Sequence, residues 1–137
     1  MKMKIKIVLE PAYSIKWPMV RIAVNEREMY KGVCNPNEGK HFIWNIHLEN
    51  LDDENILTIE HFDKHGKETI LDHEGNIVSD RAIMLKSLEF DEAKVPDVIL
   101  YQSKFFPNWP DQPEYITNNL YFGFNGVYKF NLSLIHI

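Results

Sequence analysis

The chain has 137 residues, with 15 Lys and Arg against 20 Asp and Glu, a formal net charge of −5 and one cysteine. That length sets a single domain over residues 1–137, able to bury roughly two thirds of the surface its unfolded form exposes. The acidic balance argues against nucleic-acid binding driven by clustered basic side chains, and a lone Cys34 excludes an internal disulfide and a cysteine-rich zinc site, leaving a buried or idle thiol.

The opening MKMKIKIVLE interleaves Lys with Met and Ile, so it lacks the uninterrupted apolar core of a secretory signal. No apolar run approaches the roughly 18 residues that span a membrane. A soluble chain made in the cytoplasm, with no membrane partner, is the expectation.

Apolar and polar residues alternate at period two along most of the chain, the pattern of strands with one buried and one wet face. Met3, Ile5, Ile7 and Leu9 share the inner face of a first strand opposite Lys2, Lys4 and Lys6, and Pro11 closes it. Val20, Ile22 and Val24 align on a second strand, followed by a turn at Asn25 and a short strand near Met29 and Tyr30. Phe42, Trp44 and Ile46 point a further strand at the core, and residues 51–55 read as a polar turn. Leu57, Ile59 and His61 share one face of the next strand. Residues 69–71 form a short extended piece, Glu74-Gly75-Asn76 supplies turn chemistry, and residues 81–90 form the longest central strand.

Residues 91–119 read as a long loop holding Pro96, Pro107, Pro110 and Pro113. Tyr101, Phe105, Phe106 and Trp109 give it too much apolar surface for a disordered linker, so it folds against the rest. In YFGFNGVYKFNLSL, Asn125-Gly126 predicts a type I′ hairpin, with Tyr128, Phe130, Leu132 and Leu134 buried along the last strand. Short strands separated by frequent turns indicate an all-β fold, a jelly-roll β-sandwich of about eight or nine antiparallel strands.

The densest polar stretch, EHFDKHGKETILDHEGNIVSD, gathers His61, His65, His73, Asp63, Asp72, Glu74 and Asp80. One reading is a solvated hairpin whose charges keep an edge from pairing. A second is calcium held by Asp63 and Asp80 with Asn76 and backbone carbonyls, although the spacing is not that of an EF-hand. A third is a transition-metal site using His61 and His65; a facial triad draws its second histidine from a distant strand, and the late His136 sits beside the terminus.

The aromatic set Tyr101, Phe105, Phe106, Trp109, Tyr115 and Tyr121 is the candidate contact surface. It suits a protein interface, a stacking platform for sugar rings, or a cap on the open end of the sandwich. Trp17, beside Pro18, carries the same alternatives. No phosphate-binding glycine loop, nucleophile elbow or Cys-His pairing is present, and Asp52-Asp53 and Asp91-Glu92 would point to opposite faces of a strand, as turn residues rather than a catalytic pair.

Two resemblances rest on these segments. VRIAVNEREMYKG, ILTIEHFDKHGKET and DRAIMLKSLEFDE resemble, over residues 3–94, calcium-dependent carbohydrate-binding modules of the xylan-binding kind. By position, Asp80 matches the Asp of their Asp-Arg strand start and Asp63 the acidic residue of the preceding loop; the modules continue with Asn where this chain has Ala82. DRAIMLKSLEFD, FFPNWPDQPEY and LYFGFNGVYKFNLSL are similar to small structural proteins of tailed bacteriophages, over nearly the whole chain. The second resemblance implies a non-catalytic accessory protein of the virion, placed on the capsid, neck or tail. It would contact other virion proteins or copies of itself and need no cofactor. A calcium-dependent carbohydrate-binding module is the alternative, and a metal-dependent jelly-roll enzyme the third reading.

Overall fold

The computed structural model describes residues 3–49 and 54–132. Lys2, the residues 51–53 of the expected polar turn, Leu134 and His136 lie outside them. In chain order the elements are β1 (Met3–Ala12), β2 (Met19–Val24), β3 (Arg27–Val33), β4 (Phe42–Leu48), β5 (Ile56–Phe62), β6 (Ile70–Leu71) and β7 (Ile77–Ser79). They continue with β8 (Ala82–Phe90), β9 (Ala93–Lys94), α1 (Asp97–Gln102), β10 (Lys104–Pro107), β11 (Tyr121–Phe122) and β12 (Gly126–Asn131).

All pairings are antiparallel and build two facing sheets. One runs β11-β8-β1-β4 with β9 on β8, the other β10-β12-β5-β2-β3, and β6-β7 forms a separate two-stranded ribbon. The fold is the all-β sandwich expected from the alternation. Met3, Ile5, Ile7 and Leu9 of β1 are buried between Leu88 and Phe90 of the same sheet and Leu57, Ile59, Tyr128 and Phe130 of the other, in one apolar cluster. Stacked rings join the sheets: Phe90 lies 5.9 Å from Phe130, and Phe122 4.8 Å from Phe105.

Turn chemistry explains two tight connections. Asn25 and Glu26 have φ of 52° and 67°, and Asp91 and Glu92 have 51° and 70°. Each pair closes a two-residue loop, between Val24 and Arg27 and between Phe90 and Ala93. Positive φ at both central residues is the type I′ requirement. Asp72 closes the ribbon by accepting the backbone N–H groups of Glu74 and Asn76, both at 2.9 Å. The stretch before Asp80 is thus a hairpin, as one reading expected, but Leu71, Ile77 and Val78 on its short strands are exposed.

Four expectations change. Pro11 does not close β1: the strand continues to Ala12 along β8, while its pairing with β4 stops at Leu9, so the missing N–H falls where only one neighbour remains. β8 has 9 residues and β1 has 10, so β8 is not the longest. The long loop is broken by β9, α1 and the edge strand β10. Asn125-Gly126 is not a hairpin turn, because β11 pairs with β8 in one sheet and β12 with β5 and β10 in the other, so the chain changes sheets there. The glycine has a different reason: a Cβ on Gly126 would sit 2.5 Å from the Phe106 carbonyl oxygen. Close passage of β10, not positive φ, requires it.

Candidate functional site

At the end of β5, Asp63 takes a left-handed conformation with φ of 63°, and Lys64 is then buried. Asn125 fixes this corner, its Oδ1 accepting the Lys64 backbone N–H at 2.8 Å and its Nδ2 donating to the Lys64 carbonyl at 2.9 Å. The Lys64 ammonium donates to Asp80 Oδ1 at 2.6 Å and to the Gly123 carbonyl, and lies 5.7 Å from the centre of the Trp109 ring. Thr69 Oγ1 donates to the same Asp80 oxygen at 2.8 Å, and the Tyr121 hydroxyl donates to Oδ2 at 2.9 Å. Burial opposes ionisation of Asp80, but the Lys64, Thr69 and Tyr121 hydrogen bonds outweigh it and hold the carboxyl below its ordinary value. The same contact, added to burial, pushes the Tyr121 phenol up.

A second buried pair adjoins this one. Arg81 donates from Nη1 to Glu68 at 2.9 and 3.1 Å and to the Asp63 carbonyl at 2.6 Å, and from Nε to the Trp17 carbonyl at 3.0 Å. For Glu68, burial pulls the pKa up, and the His65 backbone N–H and Arg81 bring it below normal. Two buried cations thus face one buried carboxylate, Glu68, and one half-buried, Asp80, and the guanidinium ties β8 to the segments around Trp17 and Asp63.

The calcium reading meets this arrangement directly. A hard divalent cation takes six to eight oxygen ligands. Both oxygens of Asp80 already accept hydrogen bonds, one from an ammonium, and the Asp63 carbonyl accepts Arg81. The Asp63 carboxylate is 48% exposed and pairs with Lys16 at 3.7 Å and His65 at 3.5 Å. Among the described residues no three His, Cys, Asp or Glu side chains gather to hold a metal. The two aspartates share no partner, so their donor set does not fit calcium. His61 and His65 also part company, one buried and one exposed. His61 Nδ1–H donates to the Phe122 carbonyl at 2.9 Å, and burial lowers the imidazole pKa to about 4. Burial likewise pushes the Cys34 thiol up to about 12, as befits an idle thiol.

The predicted aromatic surface divides in three. Phe105 is wholly buried against Phe122 and is a core residue, which removes it from the contact set. Phe106 and Tyr115 pair at 6.1 Å under the ammonium groups of Lys129 and Lys104, and Trp109 packs on Phe124 at 5.7 Å. Tyr101 and Tyr121, each 42% exposed, instead line a groove of about 370 Å³ beside β8. Trp17 lies edge-on to Tyr13, their ring centres 5.1 Å apart.

The groove is built by three elements. α1 carries Asp97 and Tyr101; the segment entering β11 carries Asn118, Asn119 and Tyr121; β8 contributes Lys86. Backbone bonds hold them together, Asn118 N–H to the Tyr101 carbonyl and Leu85 N–H to the Leu120 carbonyl, both at 2.8 Å. Against β1, Val8 faces Ser87 and Leu9 faces Leu85, so Lys86 is the extra residue of a β-bulge. Bulges redirect side chains, and this one presents Lys86 to the groove. The sequence reading missed Lys64, Lys86, Asp97, Asn118 and Asn119. The Asn118-Asn119 doublet was the one local signal, since Asn tolerates the φ of 57° that Asn118 adopts.

No family model matches the sequence, and no curated protein matches it. Two solved structures share the fold. A vCBM60 in complex with galactobiose has a TM-score of 0.60 at 12% identity, covering 94% of this chain and 99% of its own. A selenomethionine form of vCBM60, described with a circular permutation linking two families of calcium-dependent carbohydrate-binding modules, has a TM-score of 0.60 at 13% identity, covering 98% of this chain and 95% of its own. The architecture of this chain is the β-sandwich that those two structures also have.

Proposed function

We propose that residues 1–137 act as one non-catalytic carbohydrate-binding unit, with the sugar held in the groove between α1, β8 and the segment entering β11. The groove carries this reading: two half-exposed tyrosine rings flank amide and carboxylate groups. Sugar rings offer apolar C–H faces to aromatic rings and paired hydroxyls to planar amides and carboxylates. Among the described residues the side chains of Asn118, Asp97 and Tyr101 make no hydrogen bond, which leaves them available. Asp97 is, among the described residues, the one carboxylate lining the groove, whereas hydrolysis of a glycosidic bond ordinarily needs two flanking it. The site is therefore suited to holding a glycan rather than cutting it.

A glycan array probed with the purified chain, beside Tyr101→Ala, tests the proposal. Binding to a defined set of oligosaccharides that fades in the variant supports it. An array without signal, or a variant that binds as well as the parent, counts against it.

A second reading, an accessory virion protein working through other proteins or a second copy, draws on the exposed apolar side chains of the β6-β7 ribbon. Sedimentation of the parent and Val78→Glu addresses it: an oligomer that the variant dissolves favours this reading.

A further inference from the structure

We infer that Lys64 is a built-in cation that does here the organising work of a bound calcium ion, so that this sandwich sets its Asp80 corner and the Tyr121 wall of the groove without metal. The Lys64 and Asp80 side chains are 2% and 11% exposed, so the ammonium is enclosed rather than lying on the surface. Its donors reach the Asp80 carboxylate and the Gly123 carbonyl, and the Trp109 ring stands over it. Carboxylate and carbonyl oxygens are the ligand types a hard cation would seek. Here an ammonium has them.

Through Asp80 this cation gathers pieces far apart in the chain: Thr69 from the turn after β5, Tyr121 from β11 and Gly123 from the crossing to β12. The Tyr121 hydroxyl is anchored by that carboxylate while its ring lines the groove. A calcium ion entering the cluster would have to displace Lys64, leaving a buried ammonium unpaired beside the buried Arg81, which is a strongly unfavourable exchange. Metal independence does not require the glycan reading; only its consequence for the groove rests on it.

The test is the thermal midpoint of the sugar-free protein in chelator and in millimolar calcium, with calorimetric titration of calcium chloride alone. The expected result is one midpoint in both buffers and no saturable heat. A midpoint that rises by several degrees in calcium and falls back with chelator would overturn the inference, because an ion far above its dissociation constant stabilises the folded state by that order. Lys64→Met supplies the second arm. It should lower the midpoint in chelator, and Asp80→Asn added to it should restore part of the loss; Lys64→Met with the parent's midpoint would equally overturn the role given to Lys64. Since no sugar is present, neither arm depends on whether glycans bind.

Discussion

Lys64 and Asp80 meet at 2.6 Å although they lie 16 positions apart in the chain, with the ammonium buried and the carboxylate largely covered. Removing one partner of such a buried pair leaves the other charge uncompensated, at a cost of about 3–5 kcal/mol. Lys64→Met should therefore lose stability of that order in urea unfolding at neutral pH. The double variant with Asp80→Asn should lose less than the sum of the two single changes, because no charge is then stranded.

His61 gives the fold an acid sensitivity that precedes carboxylate titration. Its imidazole is buried neutral, with a folded pKa of about 4 against an ordinary 6.5. The unfolded chain binds that proton more readily, so the stability is fully present above pH 6.5 and is lost as pH falls toward 4, a total of roughly 3 kcal/mol. Asp80 and Glu68, both held below their ordinary values, act in the same direction at lower pH: their contribution is present above the unfolded carboxylate pKa and lost as pH falls through the depressed folded values. His61→Leu should flatten the midpoint between pH 6.5 and 4 while leaving the later acid loss. An unchanged slope in the variant would show that another group carries it.

Gly126→Ala should be strongly destabilising. The added methyl would meet the Phe106 carbonyl oxygen at 2.5 Å, Phe105 Cζ at 2.6 Å and Pro107 Cα at 2.8 Å, two of them backbone atoms of β10. Overpacking of this kind costs about 1–3 kcal/mol. Gly66→Ala, where a Cβ would meet nothing within 4 Å, is the control and should be near neutral. Equal effects at the two positions would refute the close-passage account of Gly126.

Much of the sandwich was legible because a residue alternating between core and water leaves its period in the sequence, as Ile5, Ile7 and Leu9 or Leu57, Ile59 and His61 do. Even the bulge left a trace: Ile83 and Leu85 keep step, then Leu88 and Phe90 resume one residue out of phase. Asn125-Gly126 was misread because local turn chemistry cannot distinguish a hairpin from a point where the chain changes sheets; the deciding contact, β10 against Gly126, is remote in sequence. The candidate site was harder still. Lys64 meets Gly123 across 59 residues, and nothing beside Lys64 in the sequence says that its ammonium turns inward. Tyr101 and Tyr121 were visible as aromatics, but so was Phe105, and only the packing of α1, β10 and β11 separates the core ring from the groove rings.

Side chains that line the groove without supporting the fold should separate binding from stability. Tyr101→Ala and Asn118→Gly, the glycine keeping the positive φ of that position, should each weaken glycan affinity by about fivefold, since loss of one ring contact or one hydrogen bond is on the order of 1 kcal/mol. Their unfolding free energies should stay within about 0.5 kcal/mol of the parent, as at other exposed positions. Tyr121→Phe should differ, weakening both, because its hydroxyl anchors the wall to Asp80.

The most direct measurement is the calorimetric affinity of the full chain for an oligosaccharide selected on the array, taken in chelator and again in millimolar calcium. The same affinity in both buffers, weakened about fivefold in Tyr101→Ala, is the predicted result. Binding that appears only with calcium, or no binding in either buffer, would contradict a metal-independent glycan groove.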